Sequence, residues 1–270
     1  SCMELTDDMR KSGVFTNVPL QLHIGDETII DDETFDQISF LEKMNGSPEC
    51  PKSSCPAPEA FEQTFEGADE IFVVSISSQL SGTYNSAKLA MMDYQDQHPE
   101  VKIHVIDSKS ASCGETLIGR KIQELKSNGL SFETVVDKIE EYRDQIDTKF
   151  VLESLDNLHK NGRLTGMTAL ICHALNIKPV MCATPEGTID KLSQARGMKN
   201  ALNKMVASMA EDVGNAKEKI LAISHCNNAE RARYVKEQVE KVINFREILI
   251  LEQRGLSTLY ANEGGIIVAY

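Results

Sequence analysis

Hydroxyl side chains cluster in residues 77–83, Ser-Ser-Gln-Leu-Ser-Gly-Thr, between an apolar run and an amphipathic segment. The run Ile71–Ile76 predicts a buried strand, and Gly82–Gln95 predicts a helix. The first N–H groups of a helix lack internal partners and the helix dipole is positive there, so this turn suits an anion. The hydroxyls of Ser81 and Thr83 are equally typical of helix N-caps. The residues alone therefore leave capping and anion binding both open.

A similar turn follows the next predicted strand. Val101–Ile106 alternates as a half-buried strand does, and Asp107–Gly114 after it contains three serines. The carboxyl ends of parallel strands meet at one edge of a sheet, where the ligands of α/β proteins bind. We therefore expect the two turns to lie close together, with Asp107 organising the second turn through its carboxylate.

The common catalytic and nucleotide-binding motifs are absent from the sequence. It has no G-x-S-x-G nucleophile turn and neither glycine-rich nucleotide fingerprint. The six histidines are scattered, and the seven cysteines form no C-x-x-C pair, so no metal site is predicted. Arg163 and Arg196 are candidate partners of a carboxylate or a phosphate. We predict a binding protein that is not an enzyme and has no metal or cofactor.

The elements that must position these residues predict an α/β protein. Strands alternate with helices in the first half, which predicts a parallel sheet covered by helices. In the second half Ile177–Ala183 and Thr188–Ala195 flank a Pro-Glu-Gly turn and predict a hairpin, and residues 198–212 predict a helix. We therefore predict an N-terminal α/β domain over 1–150 and a C-terminal α+β domain over 151–270. The other elements predicted from apolar periodicity are a helix from Cys113, a helix capped by Ser131, and strands over Ile220–Ser224 and Glu247–Leu251.

Charge and composition exclude several partner classes. The net charge of −13 opposes binding to nucleic acid and to anionic membrane surfaces, which need clustered Lys and Arg. No stretch approaches the roughly 20 apolar residues of a membrane span, so no stable membrane insertion is expected. The first residues do not resemble a signal peptide, and an odd number of cysteines suits a reducing cytoplasm. We expect a cytoplasmic protein that binds any lipid in its interior.

Six motifs in order resemble the signature of the DegV family of bacterial fatty-acid-binding proteins, over nearly the whole chain. The most specific motif is Ile76–Ala87, with the sequence I-S-S-Q-L-S-G-T-Y-N-S-A. The other motifs are Pro51–Pro56 (P-K-S-S-C-P), Asp107-Ser108 with Ser112 and Gly114, Leu158–Leu164, Leu175–Val180 and Ala195–Gly197.

The resemblance implies a long-chain fatty acid whose acyl chain is buried between the two domains. It implies that six residues bind the ligand's carboxylate or lie beside it. These residues are Ser53, Ser54, Ser81, Gly82, Thr83 and Arg196. Members of this family serve as acyl-binding subunits of a fatty acid kinase. They present the carboxylate to a separate ATP-binding subunit, which makes acyl phosphate.

Two features depart from the family pattern. The family commonly begins with a strand that ends in Asp-Ser, whereas this sequence starts at Ser1. The family often has His-x-Gly-Pro-Gly near the C-terminus, and Tyr260 stands at the position of that histidine. A tyrosine donates one hydrogen bond but does not become a cation, so Tyr260 is expected to be a different third partner of the carboxylate.

Two other interpretations stay open from the residues. The same turns would bind phosphate in a component of an enzyme that acts on a small phosphorylated or carboxylated metabolite. A regulatory module without a lipid ligand is also compatible with the sequence.

Overall fold

The computed structural model describes residues 2–164 and 176–270, and three sheets organise these residues. The first sheet is antiparallel with the order β2-β1-β3, and its strands are β1 (Gln21–Ile24), β2 (Glu27–Ile30) and β3 (Lys52–Ser54). The helices in this part of the chain are α1 (Asp7–Ser12) and α2 (Gln37–Gly46). Each strand has only three or four residues, which is too short for a distinct alternation in the sequence.

The second sheet is the predicted parallel pair, β4 (Glu70–Ser75) and β5 (Lys102–Asp107), in register from Glu70↔Lys102 to Ser75↔Asp107. Parallel strands need a crossover, which a helix supplies here. The helices of this region are α3 (Pro58–Phe65), α4 (Thr83–Gln97), α5 (Cys113–Ser127) and α6 (Phe132–Arg143). The predicted Ser131 cap of α6 is confirmed, because the Ser131 hydroxyl accepts a hydrogen bond from the Thr134 N–H.

The third sheet has six strands in the order β10-β9-β11-β6-β7-β8 and contains the predicted hairpin. Its strands are β6 (Thr148–Val151), β7 (Ile177–Ala183), β8 (Ile189–Arg196), β9 (Ile220–His225), β10 (Glu247–Glu252) and β11 (Ile266–Ala269). Only β9 and β10 pair in parallel among these described strands. The helices of this half are α7 (Asp156–Lys160), α8 (Met198–Asp212), α9 (Ala229–Glu240) and α10 (Gly255–Ala261), with a 3₁₀ turn at Ala216–Glu218.

Apolar faces of α8 and α9 cover one side of this sheet and form the largest core cluster. Met205 and Met209, which lie on the predicted apolar face of α8, are fully buried there with Val235 of α9. Truncating such a buried side chain to alanine costs about 2–5 kcal/mol. The mixture of parallel and antiparallel sheets with covering helices confirms the predicted α/β class.

The first and second halves of the chain are joined by contacts at α10. This helix packs against α2 and β1 of the first half. The Asp31 carboxylate, fully buried after β2, accepts from the N–H groups of Gly255 and Leu256, each at 2.9 Å, and so caps α10 from outside its own half. The predicted division at residue 150 falls inside β6, which pairs with β11 and β7; the division into two domains stays a prediction.

Within residues 2–164 and 176–270, no helix has the length and apolar character that crossing a bilayer requires. The six cysteines of this part of the chain are free thiols. Cys172, His173 and Leu175, which entered the sequence analysis, lie outside the described residues.

Candidate functional site

A mainly apolar cavity lies between the six-stranded sheet and the turns that follow β4 and β5. Alternate residues of β6 face it, because successive side chains of a strand point to opposite sides. The apolar side chains that line the cavity are Ile76, Leu80, Ala111, Phe150, Leu152, Leu158, Ala183, Ile189, Leu256, Ala261 and Ile267. Such a surface suits an apolar ligand, whose burial contributes about 25 cal/mol per Å².

Ser81 lines this cavity at the predicted strand-to-helix turn. Its hydroxyl accepts from the Thr83 N–H at 3.3 Å and lies 2.9 Å from Thr83 Oγ1. Ser81 therefore interacts with the first turn of α4 and also borders the cavity, so capping and ligand contact are compatible at this residue. Gly82 is the N-cap residue, and a Cβ there would lie 3.3 Å from Cys55 Sγ, so glycine permits the close approach of the neighbouring loop.

Ser53 and Tyr260 meet at the same corner of the cavity. Their hydroxyl oxygens are 3.3 Å apart, and both side chains are half-buried. The hydroxyl of Ser54, the next residue on β3, lies on the opposite side of the strand, 2.9 Å from His23 Nε2. The alternation of β3 thus separates the two predicted serines, and Ser53 alone of this pair borders the cavity.

Arg163 supplies a cation at this corner. Its Nε donates to the Leu80 carbonyl at 3.0 Å, and its guanidinium carbon lies 5.7 Å from the centre of the Tyr260 ring. An arginine at this distance from an aromatic face is held by a cation–π interaction. The motif Leu158–Leu164 contains this arginine, and its positive charge favours a carboxylate beside Ser53, Ser81 and Tyr260. We call these four residues the head-group corner.

Two other predicted site residues do not line the cavity. Arg196 is exposed at the end of β8, paired with Ile177, and does not line the cavity. Thr83 is buried at the start of α4 and is absent from the cavity lining, although its hydroxyl oxygen lies 2.9 Å from Ser81 Oγ. The structure therefore brings together Ser53, Ser81 and Tyr260, with Gly82 in the same turn.

Asp107 has the organising role that the sequence predicted. One oxygen of its carboxylate, Oδ1, accepts from the Ser78 N–H at 3.0 Å and from the Lys109 N–H at 3.1 Å. The Ser77 N–H also donates to the Ser110 carbonyl at 2.9 Å. These bonds join the turns after β4 and β5, so the two hydroxyl-rich turns share one rigid wall of the cavity.

A second polar group surrounds the carboxyl group of Glu4, and two of its members, Ser112 and Ser257, also line the cavity. Glu4 is 1% exposed and accepts from the hydroxyls of Ser112, at 2.8 Å, and Ser257, at 2.7 Å. Ser112 is held at φ 58°, a backbone conformation that favours glycine, and its hydroxyl also lies 2.8 Å from Ser224 Oγ. Glu115 is 2% exposed and completes this group. We call these five residues the buried carboxyl cluster.

Burial perturbs both carboxyl groups of this cluster. Loss of solvation raises the pKa of Glu4 to about 8, although the hydrogen bonds from Ser257 and Ser112 oppose the shift. Loss of solvation likewise raises the pKa of Glu115 to about 7. Within the described residues, no group of three or more His, Cys, Asp or Glu side chains has an arrangement that would hold a metal ion.

A model of the DegV family, described as a family of uncharacterised proteins, matches residues 1–270. The chain belongs to the DegV family. A DegV domain-containing protein of Streptococcus pneumoniae is 38% identical over 256 residues, which cover 95% of this chain and 90% of the relative.

Solved structures of DegV proteins resemble this chain over nearly its whole length. A DegV family protein from Ruminococcus gnavus, refined with vaccenic acid, has a TM-score of 0.97 and 46% identity and covers 100% of this chain and 97% of its own. The Fatty Acid Kinase (Fak) B3 protein of S. pneumoniae, loaded with linoleic acid, has a TM-score of 0.90 and 37% identity, and the match covers 95% of this chain and 90% of the Fak B3 chain. A DegV family protein from Eubacterium eligens, loaded with heptadecanoic acid, has a TM-score of 0.91 and 31% identity, and the match covers 99% of this chain and 95% of the E. eligens chain.

Proposed function

We propose that this DegV protein binds a long-chain fatty acid, with the acyl chain in the cavity and the carboxylate at the head-group corner. The observation that carries the proposal is the meeting of an apolar cavity with Ser53, Ser81, Tyr260 and Arg163 at one corner. Three hydroxyls supply donors, and the guanidinium supplies a positive charge. The fatty acids in the three solved relatives support the same ligand class.

The division of the cavity into apolar and polar parts accounts for affinity and orientation separately. A buried methylene contributes about 0.8 kcal/mol, so about 14 methylenes contribute roughly 11 kcal/mol before the cost of association. A hydrogen bond to a charged acceptor adds about 1.5–3 kcal/mol. The acyl chain therefore supplies most of the affinity, and the head-group corner fixes which end of the ligand faces outward.

We further propose that the chain itself is not catalytic and needs no cofactor. A serine hydroxyl acts as a nucleophile when a general base lies beside it. Among the described residues of the head-group corner, no such base lies beside Ser53 or Ser81. The bound carboxylate is itself a nucleophile towards a phosphoryl group. The likeness to the Fak B3 protein supports a role in presenting that carboxylate to an ATP-binding subunit of a fatty acid kinase.

Extraction of the purified protein under denaturing conditions, followed by mass spectrometry, tests the ligand class. We expect a stoichiometric long-chain fatty acid. A protein that contains no fatty acid and fails to bind one from delipidated solution would contradict the proposal. A sugar phosphate in its place would favour the rival metabolite-binding function.

Ser81→Ala tests the position of the carboxylate. Loss of one hydrogen bond to a charged acceptor weakens fatty-acid binding about 10-fold to 100-fold. Ser78→Ala is the matched control, because Ser78 lies in the same turn and outside the cavity lining. Isothermal titration calorimetry with the delipidated variants measures the fatty-acid affinity of each. Equal affinities of the two variants would exclude Ser81 from the head-group site.

Presentation to a kinase is tested with a purified ATP-binding subunit of a fatty acid kinase. The loaded protein, that subunit and ATP together should yield acyl phosphate, which hydroxylamine traps as a hydroxamate. Ligand binding without any trapped product would contradict presentation and leave the binding proposal standing.

A further inference from the structure

The cavity has a second polar corner, formed by Ser110 and Thr148. Both residues line the cavity, and they are 4% and 5% exposed. Their hydroxyl oxygens are 2.7 Å apart. The two residues belong to different elements, the turn after β5 and the start of β6, so the pair joins the two walls of the cavity.

The course of β6 separates this pair from the head-group corner. Thr148 and Phe150 of β6 and Leu152, the residue after the strand, line the cavity in that order. Thr148 and Leu152 are four residues apart, which corresponds to about 13 Å at a rise of about 3.3 Å per residue. Thr148 begins β6, whereas Arg163 follows the other end of the strand through α7, so the pair and this arginine lie at opposite ends of β6 along the chain.

The hairpin between β7 and β8 closes the cavity beside this pair. The Ser77 hydroxyl, fully buried, donates to the Gly187 carbonyl at 2.7 Å. Gly187 has φ 87°, and a Cβ there would clash with Ser77 Oγ and with the Lys109 backbone. The hairpin is thus packed tightly against the first half of the chain, and this limits the access of bulk water to the Ser110–Thr148 pair.

The two hydroxyls retain unused hydrogen-bonding capacity among the described residues. Each hydroxyl has one proton and two acceptor sites. One proton lies between the two oxygens, and within residues 2–164 and 176–270 the one further acceptor is the Ala111 carbonyl, 3.4 Å from Ser110 Oγ. One proton and several lone pairs therefore have weak partners or none in this part of the structure, at a buried position where such groups normally find a partner.

We propose that the Ser110–Thr148 pair binds an oxygen substituent carried in the acyl chain, so that the protein accepts hydroxylated long-chain fatty acids. This inference rests on the proposed function and adds a ligand class to it. A hydroxyl on the chain both accepts the proton that is only weakly bonded to the Ala111 carbonyl and donates to a lone pair, whereas a keto oxygen only accepts. A saturated methylene does neither. We therefore expect the Ser110–Thr148 pair to add most to the binding affinity of a hydroxylated chain, less to that of an oxo chain and nothing to that of an unsubstituted chain.

The test compares octadecanoic acid with its 3-hydroxy, 10-hydroxy and 12-hydroxy derivatives by competition binding to the delipidated protein. We expect a mid-chain hydroxy derivative to bind at least as tightly as octadecanoic acid, and the 3-hydroxy derivative more weakly. Thr148→Val keeps the shape of the side chain and removes its hydroxyl. In this variant the mid-chain derivative should lose about 10-fold in affinity, while octadecanoic acid keeps its own.

Ser110→Ala removes the other member of the pair and should produce the same selective loss if Thr148→Val does not fold. Thr64→Val is the matched control, because the Thr64 hydroxyl donates to the Phe61 carbonyl within α3 and lies outside this cavity. An unchanged ratio of hydroxylated to unsubstituted affinity in both variants overturns this inference alone. Failure of the wild-type protein to bind octadecanoic acid as well overturns the proposed function.

Discussion

The head-group corner and the buried carboxyl cluster are built from similar residues and differ in solvation. Both contain two or more serine hydroxyls, and both lie where the two halves of the chain meet. At the head-group corner the side chains are half-buried, and the Ser53–Tyr260 contact is long, at 3.3 Å. In the cluster the hydroxyls bond to Glu4 at 2.7 and 2.8 Å in full burial.

The two sets of hydroxyls differ in whether the protein itself supplies a carboxyl partner. The hydroxyls around Glu4 already have a carboxyl group of the protein as their partner, so they stabilise the junction of the two halves. The hydroxyls of the head-group corner have an arginine beside them and no carboxylate from the described residues. A ligand carboxylate would accept hydrogen bonds from the hydroxyls of that corner, as the carboxyl group of Glu4 accepts them from Ser112 and Ser257.

The pH dependence of stability should report the buried cluster, and it is the largest expected effect. The folded pKa values of Glu4, about 8, and Glu115, about 7, lie above the ordinary value of 4.5. A raised folded pKa means that the stabilisation is complete below pH 4.5 and is lost as the pH rises through 7 to 8. The loss is on the order of a few kcal/mol. Urea unfolding at pH 5, 6.5 and 8 measures it.

Glu4→Gln separates the cluster from the general repulsion of an acidic chain. The variant cannot ionise at this position, so its unfolding free energy should fall less than that of the wild-type protein over the same pH range. Parallel curves for the two proteins would show that Glu4 ionises with an ordinary pKa.

Deletion of the Glu4 side chain should cost about 2–3 kcal/mol at pH 5, where the carboxyl group is protonated. Glu4→Ala leaves the Ser112 and Ser257 hydroxyls without their acceptor and opens a cavity, and each of these changes is unfavourable. Denaturant unfolding checks the value, with Glu4→Gln as the milder control. A change below about 0.5 kcal/mol would mean that the cluster contributes little to the junction.

Arg163 and Arg196 offer a direct comparison at the ligand site. Arg163→Gln removes the cation of the head-group corner and should weaken fatty-acid binding about 10-fold, whereas Arg196→Gln should change it less than about twofold. Titration of the delipidated variants measures both. A larger loss in Arg196→Gln would restore the family-based expectation that this exposed arginine acts near the head group.

Tyr260→Phe should have the smallest measurable effect at the head-group corner. It removes one neutral donor, which contributes about 0.5–1.5 kcal/mol, so affinity should fall about twofold to 10-fold. Ser54→Ala is the control, because its hydroxyl faces His23 and the change should leave affinity unaltered. Equal losses in the two variants would show that the side-chain alternation of β3 does not determine the site.

Periodic segments of the sequence predicted their elements well. The helix over residues 198–212 has the predicted bounds, and the strands over 71–76 and 101–106 are displaced by one residue. These elements bury one continuous face, so their pattern appears in the local sequence. The three-stranded sheet was not predicted from the sequence, because β1 to β3 are short. They are stabilised by pairing between Gln21–His23 and the distant Lys52–Ser54.

The site was predictable in part for the same reason. Ser81 lies at a strand-to-helix turn that local patterns predict, and the family motif added Ser53 and Tyr260. The motif could not decide between Ser53 and Ser54, because the side that each faces depends on the pairing of β3. The Ser110–Thr148 pair depends on a contact between residues 38 positions apart, for which the local sequence has no signal.

The cap that Asp31 places on α10 makes the two halves one cooperative unit. The helix that carries Tyr260 begins at N–H groups held by Asp31, the residue that follows β2 of the first sheet, so loss of this cap should disturb the end of that strand. Ligand binding at Tyr260 should therefore slow amide hydrogen exchange in β1 and β2, which are absent from the cavity lining. Occupancy of the cavity would then be readable at a distance, from the solvent protection of strands that never contact the ligand.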